Sequence, residues 1–194
     1  MKKSLGFFLL LLAALAAQAQ SPEMVDNLSF ADPGFETRQL SAYNGKKAIV
    51  IVFTSSNCSW ATKYEERLRA LRDSFDSQGV QFLAINSNDP TMSELDAVAR
   101  MRQANPYNFP YVKDEDQHLA KALKVTKNPE VVVLAPRAGR FAVLYRGKID
   151  DNPLDPALVK HNYLQNALKA LLAGKSPEAA GTPPSGCNIK WKAE

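Results

Sequence analysis

Cysteine and histidine are scarce in this chain: Cys58 and Cys187, His118 and His161 are the only ones in 194 residues. Two cysteines are too few for the disulfide framework of a small secreted scaffold. Neither histidine has a partner at metal-ligand spacing, so both are expected on helix surfaces and no metal is implied. Asp150 and Asp151 are adjacent, an arrangement expected of a hydrated turn. No glycine-rich phosphate loop or flavin fingerprint is present, so no cofactor is expected. Long runs of like charge are also missing. The net charge of +4 includes Lys2 and Lys3, and such mild, dispersed basicity speaks against a nucleic-acid partner. No apolar run reaches the ~20 residues needed to span a membrane. Internal repeats and low-complexity blocks are absent.

What is present begins with Lys2 and Lys3 ahead of the apolar run from Leu5 to Ala17, which ends in Ala17-Gln18-Ala19. This is the layout of a secretory signal peptide over residues 1–19, cleaved after Ala19. No cysteine lies near the cleavage point to carry a lipid. Export to the periplasm or medium is therefore expected, with no stable membrane insertion after cleavage. The remaining roughly 175 residues suit one domain with a full hydrophobic core.

Residues 20–45 read as a lead-in segment, with Asp32-Pro33-Gly34 as a turn signal and a short hairpin laid against the sheet. The β-branched run Ala48-Ile49-Val50-Ile51-Val52-Phe53 predicts a strand buried on both faces. After the loop Thr54 to Cys58, apolar residues at Trp60, Tyr64, Leu68, Leu71 and Phe75 have helical spacing. Gly79 ends that pattern, and Val80–Ile85 supplies a second apolar run, giving a βαβ unit with parallel strands. Thr91 and Glu94 have the spacing of a capping box ahead of Leu95, Val98 and Met101. Short elements are expected at Phe109–Val112 (strand) and Gln117–Leu123 (helix). Glu130–Leu134 and Phe141–Tyr145 should form an antiparallel hairpin. Asp155 and Pro156 are expected to open a last helix lined by Leu158, Leu164, Leu168 and Leu171 and stopped by Gly174. The domain then spans residues 46–175, and 176–194 is a tail, read as loop as far as Cys187.

Cys58 falls where a buried strand gives way to a helix. Free amides and the macrodipole of a helix N-terminus favour a thiolate, the reactive form of cysteine. The alternative is a small buried hydrophobe, which is what most free cysteines are.

The strand ending in Val52-Phe53, the loop to Cys58, the amphipathic helix and the later Asn128-Pro129 together resemble the thioredoxin superfamily. Four segments are similar, more narrowly, to its peroxiredoxin-like branch of redoxin proteins, the AhpC/TSA type. They are Ala84–Asp89, Phe109–Glu115, Tyr145–Asn152 and Gly186–Trp191. The resemblance implies an α/β thioredoxin-like fold, a central mixed sheet flanked by helices. It also implies a cis peptide between Asn128 and Pro129 that packs on the reactive cysteine and presents backbone groups to an extended substrate. Thioredoxins read Cys-x-x-Cys, whereas this chain reads Cys58-Ser59-Trp60-Ala61. Peroxiredoxins carry a proline seven residues and a Thr or Ser three residues before the reactive cysteine; here these are Ile51 and Ser55. Trp60 is either a core aromatic or a flank of the substrate groove. Arg146 is either a solvated surface residue or a stabiliser of the thiolate.

Two functional readings stand on these residues. In the first, Cys58 attacks a peroxide or a protein disulfide and Cys187 is the resolving thiol, with a reducing partner that the sequence does not identify. In the second, the fold is a catalytically inactive binding or assembly module, tied by a structural Cys58–Cys187 disulfide worth roughly 5 kcal/mol on chain-entropy grounds.

Overall fold

The computed structural model of the chain describes residues 21–31 and 36–193. The expected signal peptide and the turn at Asp32-Pro33-Gly34 lie outside the described residues. Among the described residues ten strands occur in chain order: β1 Met24–Val25, β2 Ser29–Ala31, β3 Thr37–Gln39, β4 Ala48–Phe53, β5 Val80–Asn86, β6 Tyr111–Lys113, β7 Lys127–Asn128, β8 Glu130–Arg137, β9 Arg140–Gly147 and β10 Cys187–Asn188. The α-helices are α1 Ser59–Thr62, α2 Glu65–Asp76, α3 Val98–Gln103, α4 His118–Ala122 and α5 Tyr163–Leu172.

β4 owes its central place to having no polar face. All six of its residues are buried, and it lies between parallel β5 and antiparallel β8. The large sheet runs β1-β9-β8-β4-β5-β6-β2-β3. Side chains alternate across a strand, so β4 feeds two cores. Ala48, Val50 and Val52 join Leu68 and Phe75 of α2 and Leu164 and Leu168 of α5 on one face. Ile49, Ile51 and Phe53 join Leu119 and Ala120 of α4, Phe30 of β2 and Ile189 of the tail on the other. The expected βαβ unit, the β8–β9 hairpin and the lead-in hairpin of β2 and β3 are all present. Among the described residues no helix is long and apolar enough to cross a membrane.

Four local expectations are corrected. The helix after Cys58 is not continuous: α1 ends at Thr62, and the Tyr64 N–H donates to the Ala61 carbonyl at 3.0 Å, tightening the turn before α2. Buried Tyr64 anchors this break by donating its hydroxyl proton to Asp150 at 2.6 Å. The Thr91/Glu94 capping box does not form. Asp89 accepts from Thr91 N–H instead, 3₁₀ turns follow at Pro90–Met92 and Glu94–Asp96, and Leu95 is exposed. Asp155 and Pro156 open a 3₁₀ turn ending at Leu158, which is exposed, and α5 begins only at Tyr163. The tail, expected as loop as far as Cys187, makes a parallel bridge between Gly181 and Arg146 within that stretch, and β10 beyond it pairs with β7.

Candidate functional site: a disulfide against the Asn128–Pro129 loop

Cys58 caps α1 from an extended backbone conformation, and its own N–H donates to the Ser55 carbonyl at 3.2 Å. The residue is 1% exposed. It forms a disulfide with Cys187 across a Cα–Cα distance of 6.0 Å, within the range such bridges require. The Asn128–Pro129 peptide is cis, and the Asn128 carbonyl oxygen lies 3.1 Å from the Cys58 sulfur. Cys187 is the register partner of Asn128 in the β7–β10 pair. Three segments distant in sequence, the Cys58 loop, the cis-proline loop and the tail, therefore meet at one point.

Gly186 makes that meeting possible. Its φ is +141°, and a Cβ there would lie 2.2 Å from the Asn128 carbonyl oxygen. Only glycine lets the tail backbone approach the loop this closely.

A buried polar network underlies the site. Asp96 is fully buried. Its Oδ1 accepts from Ser55 Oγ at 2.8 Å and Asn86 Nδ2 at 2.7 Å, and its Oδ2 accepts from Asn88 Nδ2 at 2.9 Å. Asn88 Oδ1 accepts from Asn128 Nδ2 at 3.2 Å and from Lys190 N–H at 3.0 Å, joining the cis-proline loop to the tail. Lys113 donates to Asn86 Oδ1 and to the carbonyls of Asn88 and Asp96. Burial pushes the Lys113 ammonium down to about 8 against the opposing pull of Asp96. Burial likewise raises the Glu130 carboxyl above the usual range, although that carboxylate accepts from Thr126 and Lys127 N–H.

The residues expected at the site take different places. Ser55 lies in the network and not on a binding surface: besides donating to Asp96, its hydroxyl accepts from Asn57 N–H at 3.1 Å and Asn88 Nδ2 at 2.9 Å, which fills its capacity. Trp60 is 41% exposed, so it is no core aromatic. Asn128 is buried, and its Oδ1 has no hydrogen-bond partner among the described residues. Arg146 turns to Glu23, with Nη2 3.1 Å from the carboxylate, and its main chain holds Ala180 and Thr182 of the tail. His118, expected on a helix surface with no partner at metal-ligand spacing, is half-buried, and its Nδ1 contacts Asp116 at 2.5 Å and its Nε2 the Ser29 carbonyl at 2.7 Å. Asp114, Asp116 and His118 could together reach a metal ion. Asp114, however, already accepts from Ser87 Oγ and from Leu119 and Ala120 N–H, which leaves little of that set free.

Sequence reasoning missed Asp96, Lys113, Gly186 and Ile189 as supports of the site. The available signals were polar residues at strand ends, Asn86-Ser87-Asn88 and Lys113-Asp114, and the family-like segments Phe109–Glu115 and Gly186–Trp191, which contain Lys113, Gly186 and Ile189.

A mixed sheet of this topology, with a cysteine at the first helix and a cis-proline loop against it, defines a thioredoxin-fold protein. The chain belongs to the AhpC/TSA family, whose model matches residues 20–151. Two solved structures are similar over nearly their whole lengths. A hypothetical protein from Sinorhizobium meliloti is 28% identical with a TM-score of 0.80, over 90% of this chain and 96% of that one. An uncharacterized conserved protein from Geobacillus kaustophilus has the same identity and TM-score, over 90% and 93%. The thioredoxin domain of a thiol-disulfide oxidoreductase from Bacteroides vulgatus shares the fold at 17% identity and a TM-score of 0.50, over 66% and 89%. No curated protein matches the chain.

Proposed function

We propose that this protein is an exported thiol–disulfide oxidoreductase whose working couple is Cys58 and Cys187. The observation that carries this reading is the bond between a cysteine at the strand-to-helix junction and a tail cysteine, made directly against the cis-proline loop. Cys187 supplies the second sulfur that Ala61 denies to a Cys-x-x-Cys motif. The oxidised pair exchanges with thiols and the reduced pair with disulfides through a mixed-disulfide intermediate.

Protein thiols and disulfides fit the site better than peroxide. A peroxidatic cysteine needs donors and a cation at its sulfur, but Ser55 is consumed by Asp96 and its neighbours, and Arg146 is paired with Glu23. Export accords with the signal-peptide layout and with the compartments in which disulfides persist.

The test is interchange activity on a protein disulfide substrate. Cys58→Ser and Cys187→Ser should each abolish turnover while keeping the native circular-dichroism spectrum. Undiminished turnover in either variant would overturn the reading. The inactive module with a structural disulfide is the second reading, favoured by Ile189 of the tail, which is 3% exposed and packed in the core. It calls for wild-type protein that shows no interchange at all.

A further inference from the structure

The two sulfurs of the pair are unequally placed. Cys58 is 1% exposed, whereas Cys187 is partly exposed on a two-residue strand at the molecular surface. The disulfide alone does not hold the tail over Cys58. On the N-terminal side of Cys187, Thr182 N–H donates to the Arg146 carbonyl at 3.0 Å and Arg146 N–H to the Ala180 carbonyl at 3.1 Å. The Thr182 hydroxyl also accepts from Lys148 N–H at 2.9 Å and bonds the Tyr145 hydroxyl at the same distance.

On the C-terminal side, Ile189 N–H donates to the Thr126 carbonyl at 3.0 Å, and its side chain is buried in the core. The Lys190 carbonyl accepts from Asp89 N–H and from Gln117 Nε2, both at 2.8 Å. Lys192 N–H donates to Gln117 Oε1 at 2.9 Å. Breaking the S–S bond removes none of these contacts, so Cys187 stays docked over Cys58 in the reduced protein.

Resting on the proposed oxidoreductase function, we infer that Cys187, and not the helix-head Cys58, is the sulfur that exchanges with the partner, and that Cys58 is the buried resolving sulfur. In the oxidised protein a partner thiolate attacks Cys187 Sγ. A bond forms between the partner sulfur and Cys187 as the Cys187–Cys58 bond breaks, and the electron pair leaves on Cys58. Cys58 takes a proton from solvent, and the Asn128 carbonyl, 3.1 Å from its sulfur, accepts a hydrogen bond from the thiol. A second partner thiolate then attacks the partner sulfur of the mixed disulfide and releases Cys187 as a thiolate. Two partner thiols become one disulfide, and the protein disulfide becomes two thiols. In reverse, the Cys187 thiolate opens a partner disulfide and Cys58 attacks Cys187 to expel the bound partner thiol.

The experiment is timed alkylation of the reduced wild-type protein with dilute iodoacetamide, read by peptide mass mapping. Since a buried thiol is out of the reagent's reach and the Asn128 carbonyl facing Cys58 favours its protonated form, Cys187 should be modified at least about tenfold faster than Cys58. An aromatic disulfide, 5,5′-dithiobis(2-nitrobenzoate), supplies the second arm. Cys58→Ser should trap a stable adduct at Cys187, and Cys187→Ser should react at least about tenfold more slowly at Cys58. Faster labelling of Cys58, or equal rates at the two sulfurs, overturns the inference. If the wild-type protein still turns over a protein disulfide in that event, the oxidoreductase reading survives without it. If the wild-type protein shows no interchange, both fall.

Discussion

Reducing the disulfide should cost stability without unfolding the domain, and the size of the loss can be worked from the fold. The bridge closes a loop across a sequence separation of 129 residues. The chain-entropy relation gives about 5 kcal/mol for a loop of that length, most of it from the restricted unfolded chain. In a protein of this size each kcal/mol moves the melting temperature by about 2–4 °C, so the reduced form should melt about 10–20 °C lower. The same free energy places the pair's potential about 100 mV below that of the pair in the unfolded chain, since 1.4 kcal/mol corresponds to about 30 mV. The assay is differential scanning calorimetry with and without a phosphine reductant, with reduction verified by mass. Coincident melts would refute the loop-entropy reasoning. Loss of native near-ultraviolet circular dichroism at 25 °C on reduction would refute the claim that hydrogen bonds and Ile189 hold the tail independently of the bond.

Three further outcomes are expected. Ile189→Ala removes a side chain 3% exposed and should cost about 2–4 kcal/mol in urea denaturation, while speeding alkylation of reduced Cys58 because the tail detaches. Asp96→Asn places an amide donor against donors now satisfied by the carboxylate, and should cost about 2–4 kcal/mol by the same measurement. Lys113 titrates at about 8 in the folded protein against 10.5 for an unperturbed lysine. The unfolded chain therefore binds more protons between these values, and this residue's contribution makes stability rise with pH there. The rise should be visible between about pH 8 and 10, above which buried tyrosines that stay protonated in the folded state oppose it. Lys113→Met should flatten that rise in urea titrations at successive pH values, and an unchanged slope would contradict the assignment.

The fold was legible wherever apolar pattern and tertiary demand coincide. β4 is a continuous apolar run, and β5 and the β8–β9 hairpin are apolar in their centres, stretches that have no stable place except inside a sheet. Element starts were less legible, because capping chemistry reads the same for a 3₁₀ turn and for an α-helix. Asp155 caps its turn by accepting from Ala157 N–H as it would cap a helix, and only packing delays α5 to Tyr163. The break after α1 likewise depends on the Tyr64–Asp150 contact, which joins residues far apart in sequence. At the site, Cys58 and Asn128-Pro129 could be picked out from the sequence, but Asp96 could not. Its neighbours Ser55, Asn86 and Asn88 come from other segments, and a buried aspartate looks like any other in a polar stretch. The segments carrying the family resemblance turn out to supply much of this network: Asn86 and Asn88 from one, Lys113 from another, and Gly186, Ile189 and Lys190 from a third.

The central claim is that Cys58 and Cys187 form a couple that cycles, and its reduction potential tests this most directly. Equilibration of the protein in graded thiol–disulfide buffers, quenched with acid and read by mass, yields that value. A cycling couple should lie above about −300 mV, within reach of a cellular reductant, whereas a value below about −300 mV marks a fixed structural bridge and contradicts the claim.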